Sequence, residues 1–313
     1  MEYRGVTIGE TEKIFITHGA QEGIRVDGRG PGDYRPVQID VGLMPNCFGS
    51  SKVCIGGTEV IAGVKAELQT VDDTSIIANR IQFDVDVSAN ASVHFEGKRG
   101  EDFGAELALV LHSAYNSEPE KVLPGIKNLI ITKNHYWIVY VDIVLLRYDG
   151  NVVDAVSIAT KAALYNTEIV NLTKIPGDQG KVYVELPELY TTFYFDVSRA
   201  PMIVGVCKVG TANIMDPSSS EEECMRAVLY VGIVPPEADD NVQFAMPSSE
   251  FADEDCSLCL VRQSGGGSVE VESMRSMVVL AIATARKLNT ALMKHLLIAT
   301  EQNAECDWIK PLA

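Results

Sequence analysis

Apolar and polar positions change period several times along this chain, and each change marks an element. The longest apolar run is Tyr136-Trp137-Ile138-Val139-Tyr140-Val141-Asp142-Ile143-Val144-Leu145-Leu146, where only Asp142 is polar. Aromatic and β-branched content this high predicts a strand buried on both faces. Tyr148-Asp149-Gly150-Asn151 follows as a turn, because Gly and Asn enter positive φ without strain. From about Asp154 to Tyr165, small and apolar residues cover most of a helical circumference. Such a helix belongs under a sheet and not on the surface.

The same reading extends to both sides. Residues 9–21 suggest a short helix with Ile14, Phe15 and His18 on one side. Alternation predicts strands at 37–41, 51–55 and 58–66, the last two joined by a Gly56-Gly57 hairpin turn. Ile81 to Val87 alternates strictly, which predicts a half-exposed antiparallel strand. Leu107, Val110, Leu111 and Ala114 fall at helical spacing and predict a helix over about 101–115. The second half repeats the grammar, with strands at 182–186, 193–197, 202–207, 213–216, 226–234 and 256–261. A long helix then carries Val271, Met274, Val278, Ile282, Ala285, Leu288, Leu292 and Leu296 as its apolar stripe. Strands closed by a helix, twice over, indicate an α+β fold and not an alternating parallel βαβ run.

Composition narrows the classes. The 313 residues, 46% apolar, suffice for one large domain or two of ordinary size. No apolar run reaches the roughly 18 residues of a bilayer span, and Met1-Glu2-Tyr3-Arg4 begins no signal-peptide core, so a cytosolic or nuclear protein is the expectation. Seven scattered cysteines, an odd number, indicate reduced thiols. A net charge of −17 disfavours autonomous nucleic-acid binding, so an RNA role calls for partners. The segment from Glu237 to Asp255 carries acids and no Lys or Arg; with its Pro and Ser content it reads as a disordered or surface loop.

Candidate chemistry gathers around the central turn. A strand, a tight turn and a buried helix start make a natural anion site, since free N–H groups and the helix dipole point there. Here those positions are Val152, Val153 and Asp154, with no Arg or Lys. Asp154 would cap the helix donors, worth about 1 kcal/mol, and repel phosphate. Arg25, Arg29 and Arg35 stand in a Gly-rich polar segment, where pairing of Arg25 or Arg29 with acids is a simpler reading than RNA contact. Asp216, Glu221, Glu222 and Glu223 have the chemistry for a metal or an acid–base pair, and a solvated turn is the simpler reading. Cys256 and Cys259 lack a second pair, and the five histidines share no metal-ligand spacing, so no metal or cofactor is expected. Gly265-Gly266-Gly267-Ser268 lacks a following Gly-Lys-Ser/Thr and is read as a flexible helix entry. Lys98 and Arg99, in the loop before the first long helix, are the candidate RNA contacts, with a solvated basic loop as the plainer explanation.

Several of these stretches together resemble the RNase PH superfamily. They are Arg25-Val26-Asp27-Gly28-Arg29, Val64-Lys65-Ala66-Glu67, Trp137-Ile138-Val139-Tyr140-Val141-Asp142 with Asp149-Gly150-Asn151, Ile158-Ala159-Thr160-Lys161-Ala162-Ala163-Leu164, and Asp216 with Glu221-Glu222. The similarity spans roughly residues 11–297. Phe95-Glu96-Gly97 and Lys161-Ala162-Ala163-Leu164-Tyr165-Asn166-Thr167 look like the non-catalytic ring subunits of the eukaryotic RNA exosome core. The resemblance implies an RNase PH-like α+β architecture, a ribosomal protein S5 domain 2-like unit followed by a smaller α+β C-terminal unit. The corresponding division is an N-terminal helix and arm at 1–24, a first domain at 25–170, and a second at 190–300 with an acidic loop at 235–255. It also implies a six-membered ring of RNase PH-like subunits, cap subunits on one face, single-stranded RNA through the middle, and no membrane. The compartments implied are the nucleus with its nucleolus, and the cytoplasm.

Active members of the family cut RNA from the 3′ end with inorganic phosphate. They hold it with an Arg and hydroxyl neighbours where this chain has Val152, Val153 and Asp154. Of their aspartate pair, the first corresponds to Glu223 and the second falls on Val228 or Leu229. Both departures remove charge that phosphoryl transfer requires. The expectation is an inert structural subunit supporting 3′-to-5′ RNA processing and degradation, including rRNA maturation and mRNA turnover. The alternative is an active phosphate-dependent 3′-to-5′ exoribonuclease. A small-molecule kinase on the same S5-like fold would need a phosphate loop that Gly265-Gly266-Gly267, in the wrong half, does not supply.

Overall fold

The computed structural model describes residues 8–70, 80–132, 134–176, 182–187, 191–235 and 256–305. Nearly all of the acidic segment at 235–255 lies outside them. The chain enters through α1 (Glu10–Gln21), which buries Ile16 and Ala20. Ile14 and Phe15 remain 57% and 67% exposed, so the side that carries them faces away from the core. Ala20 packs against Cys207, Val209, Ile214 and Val228 of the second sheet, where a small residue lets the helix approach closely.

The first sheet contains β1 (Val37–Val41), β2 (Gly49–Ile55), β3 (Thr58–Thr70), β4 (Ile81–Val87) and β5 (His135–Arg147), in the order β1-β2-β3-β5-β4. Gly56-Gly57 forms the β2–β3 hairpin as expected. Strand β4 corrects the sequence reading, because it runs parallel to β5. Between them lie α2 (Lys98–Asn116) and α3 (Pro119–Val122), and a crossover of that length is what parallel neighbours need. Strand β5 corrects it too. Burial alternates along β5, with Val139, Val141, Ile143 and Leu145 in the core and Tyr140, Asp142, Val144 and Leu146 half-buried. Asp142 pairs across the outer face with Lys65 at 2.7 Å.

Helix α4 (Val152–Tyr165) begins two residues earlier than predicted and is buried from Val152 through Leu164. It lies between β2 and β3 on one side and the second sheet on the other, which is why no polar face developed. Two small ribbons follow, β6 (Glu168–Val170) with β9 (Thr192–Tyr194), and β7 (Thr173–Pro176) with β8 (Val182–Glu185). The strand expected at 193–197 thus ends at Tyr194. The second sheet comprises β10 (Met202–Val209), β11 (Ala212–Met215), β12 (Met225–Val234) and β13 (Ser257–Ser264), in the antiparallel order β11-β10-β12-β13. The short α5 (Ser219–Glu222) precedes β12, and α6 (Val271–Glu305) closes the chain over β10 and β12. Ala285, Leu292 and Leu296 of the predicted stripe are buried, but towards the N-terminus burial falls on Met277 and Ala281, while Val271 is 84% exposed. Burial starts only where the helix reaches the sheet.

Lys161, deep in α4, ties these layers together. Its Nζ donates to Ala200 O and Asn289 Oδ1, each at 2.7 Å. Burial pushes the amine down to about 7, so near neutral pH the neutral form stands beside the charged one, and either form can donate.

Candidate functional site

Strand β5 delivers the chain into the turn that was singled out in the sequence. Gly150 and Asn151 have φ of 82° and 56°, as turn chemistry predicts. Thr58 Oγ1 donates to Gly150 O at 2.6 Å, and Asn151 N donates to Glu222 Oε1 at 2.7 Å. A β-carbon on Gly150 would lie 2.5 Å from Pro217 O, so the turn is seated directly on the β11–α5 connection.

That connection carries the acidic cluster, and the cluster is not a solvated turn. Asp216 and Glu221 are buried. Asp216, at φ 45°, accepts from Arg35 N, Nε and Nη2 at 2.7, 2.9 and 2.8 Å, from Arg29 Nη1 at 2.8 Å and from Asn151 Nδ2 at 2.8 Å. Glu221 takes Arg25 Nε and Nη2 at 2.8 and 2.5 Å, a bidentate charge-assisted pair. It also accepts from Ser218 N at 2.8 Å, completing a capping box at α5. Arg35 reaches on to Asp149 at 3.1 Å. Burial pulls both carboxyls upward, but the hydrogen bonds and charge of Arg35 on Asp216, and of Arg25 on Glu221, hold each below its ordinary value. The pairing read for Arg25 and Arg29 is present, and Arg35 joins it. Among the described residues, no group of His, Cys, Asp and Glu is arranged to hold a metal ion.

The helix start differs from its predicted chemistry in one respect. Asp154 is fully buried and does not cap α4. Its Oδ1 accepts from Gly205 N at 2.7 Å, and its Oδ2 from Tyr34 Oη at 2.5 Å and Asn151 Nδ2 at 3.2 Å. Asn151 occupies the cap position in the left-handed region, without a side-chain cap bond. The carboxyl therefore serves as a bolt between α4 and β10. Val152 and Val153 are buried and line a cavity of about 20 Å³ together with Tyr148, Glu222, Val228 and Tyr230. That is room for about one water molecule, and among the described residues no Arg, Lys or His lines it. Tyr148 Oη also donates to Glu222. Glu222 faces this space, whereas Glu223 lies aside and accepts from Ile8 N at 3.4 Å.

Desolvation pushes Asp154 up to about 7 against the opposing hydrogen bonds of Tyr34, Gly205 and Asn151. Its folded form thus holds a proton more tightly than the unfolded chain, whose value is near 3.8. The stability this contributes is fully present below about 4 and lost as the pH climbs through about 7. Urea melts of Asp154→Asn and the parent should diverge over that interval. The parent should lose on the order of 2–4 kcal/mol that the variant does not. Glu222, also raised by burial, contributes to the slope of both proteins alike. Parallel curves would exclude a protonated Asp154.

Lys98 and Arg99 occupy the first turn of α2 and not a loop, and both are exposed. Phe95 stacks on Phe103 and meets Tyr148 edge-on, with centroids 5.1 Å apart in each case. The segment bearing Lys98 and Arg99 is thereby anchored beside the Val152–Val153 cavity, although neither residue lines it. The sequence reading missed Tyr34 and the part played by Arg35. The one available signal was a polar, Arg-rich stretch too regular in its turns to be a mere linker.

Comparisons with known proteins follow the same lines. Residues 33–170 match the 3′ exoribonuclease family, domain 1. A putative exosome complex exonuclease RRP42 of Dictyostelium discoideum is 32% identical over 276 residues, covering 72% of this chain and 84% of that protein. The exosome complex component Rrp42 of Saccharolobus solfataricus is 30% identical over 290 residues, covering 91% and 94%. A solved Archaeoglobus fulgidus exosome with RNA bound to the active site has the same fold, with a TM-score of 0.68 at 24% identity over 90% of this chain and 98% of that one.

Proposed function

From the premise that this chain belongs to the RNase PH family of 3′ exoribonucleases, we propose that it is a catalytically inert ring subunit of an RNA exosome. It supports 3′-to-5′ RNA processing and degradation, rRNA maturation and mRNA turnover included, by completing the ring and the RNA path. Its partners are other RNase PH-like ring subunits, cap subunits and single-stranded RNA, in the nucleus, nucleolus and cytoplasm. No helix among the described residues is long and apolar enough to cross a membrane.

One observation carries the inert assignment. At the start of α4, where a phosphate would bind, Val152 and Val153 close over about 20 Å³ with no cation among the described lining residues, and Arg25, Arg29 and Arg35 are engaged by internal carboxylates. Phosphoryl transfer depends on positive charge placed at the phosphate, and here that charge is already neutralised. The half-apolar outer face of β5 and the exposed Ile14 and Phe15 on α1 suit a subunit that buries surface against neighbours.

The test is to purify the chain alone and with an RNase PH-like ring neighbour, measure mass by light scattering, and follow phosphate-dependent RNA shortening. The expected result is a defined hetero-oligomer with no nucleoside diphosphate release traceable to this chain. A stable homo-oligomer that shortens RNA only when phosphate is added overturns the proposal.

A further inference from the structure

A groove at the far end of β5 from the Gly150 turn has no part in the reading above. It opens between the segment after α3, the start of β5 and the two small ribbons, with a volume of about 280 Å³. That is near the lower bound of roughly 300 Å³ for small-molecule sites. Trp137 and Phe193, both half-buried, supply its aromatic surface, and Lys127, Lys174, Asn128 and Asn171 stand around them. Among the described residues no carboxylate lines it, in a chain whose net charge is −17. Lys127 is tied to Glu120 only through a surface pair at 3.2 Å, with side chains 65% and 60% exposed, and such pairs are readily exchanged. Lys174 is exposed. Asn171 Nδ2 donates to Thr191 Oγ1 at 3.1 Å, which holds that side chain in place.

Each component answers one part of a nucleotide. An aromatic face stacks any base, ammonium groups meet the flanking phosphates, and side-chain amides reach base edges. We propose that this groove is a single-stranded RNA site that seats one nucleotide, its base on Trp137 or Phe193 and its phosphates on Lys127 and Lys174. The site explains how so acidic a chain can touch RNA: stacking supplies most of the affinity, and two lysines offset the field at one point. The inference rests on the exosome reading only for the source of the RNA.

The experiment uses the full chain, alone and in the reconstituted ring, with a short oligouridylate carrying fluorescein and 4-thiouridine. Photocrosslinks should map to the peptides containing Trp137 or Phe193. The double variant Lys127→Glu, Lys174→Glu should weaken binding about tenfold or more, and the parent's log–log salt slope of about −1.4 should flatten towards zero. Trp137→Leu should weaken binding by a similar factor and leave the salt slope intact. Melting temperature and hetero-oligomer formation should not change in the lysine variant. Crosslinks confined to other regions, such as Lys98 and Arg99, or affinity unchanged in both variants, overturn the site. So does loss of a ring or cap subunit from the lysine variant with crosslinking preserved, because the groove is then a protein interface. A chain that crosslinks at Trp137 yet enters no ring supports the groove and removes the exosome reading instead.

Discussion

Asp216→Asn is expected to cost about 3–5 kcal/mol at pH 7, the loss typical of breaking a buried ion pair from one side. Asn has nearly the same shape and tolerates positive φ, so the backbone at φ 45° is not the cause. The charge is. Asp216 takes donors from Arg29, Arg35 and Asn151, and its removal leaves two guanidinium groups facing each other in a space that excludes water. A variant amide would also point its own N–H group at those donors. Arg35 bridges the β5–α4 turn and the β11–α5 connection, so the damage should reach both sheets in one cooperative transition. The pH sign is fixed by the direction of the shift. Asp216 is held below 3.8, so its contribution is present above about 4 and lost as pH falls through the folded value. The gap between parent and variant urea midpoints should therefore close in strong acid. A loss under about 1 kcal/mol at pH 7 would mean that the network is solvated after all.

Gly150→Ala should be the next most damaging change, at about 3 kcal/mol. Part is the ~1–2 kcal/mol of placing a β-carbon in the left-handed region, and the remainder is steric, of the order found for overpacked cores. Gly150 has φ 82° and its added carbon would meet Pro217 O at 2.5 Å. Gly28 provides the control. Its φ is 80°, yet nothing lies within 4 Å of where its β-carbon would go. Gly28→Ala should therefore show only the conformational part, about 1–2 kcal/mol. Thermal melts of the two variants side by side isolate the contact between the turn and the β11–α5 connection. Equal losses would show that the connection simply moves aside.

What the sequence by itself determined are features that depend on a few neighbouring residues. The Gly56-Gly57 hairpin, the positive φ of Gly150 and Asn151, and the helix from Val152 that shows no polar face all follow from local chemistry. The missing cation at the start of α4 was legible for the same reason, because Val152 and Val153 are what they are in any fold. Layering was not legible. An apolar run does not say how many faces of its strand are covered, and β5 alternates because α2 and α4 both pack on the core side of the sheet. Nor was the state of the charges. Asp154 meets Gly205 and Tyr34 across 51 and 120 residues, and Glu221 meets Arg25 across 196. A carboxylate in a Ser-rich turn belongs in water unless the fold brings donors to within hydrogen-bonding distance, since desolvation otherwise costs several kcal/mol. Only the tertiary structure brings them there, and in doing so it turns an acidic turn and a candidate phosphate site into the joint between two sheets.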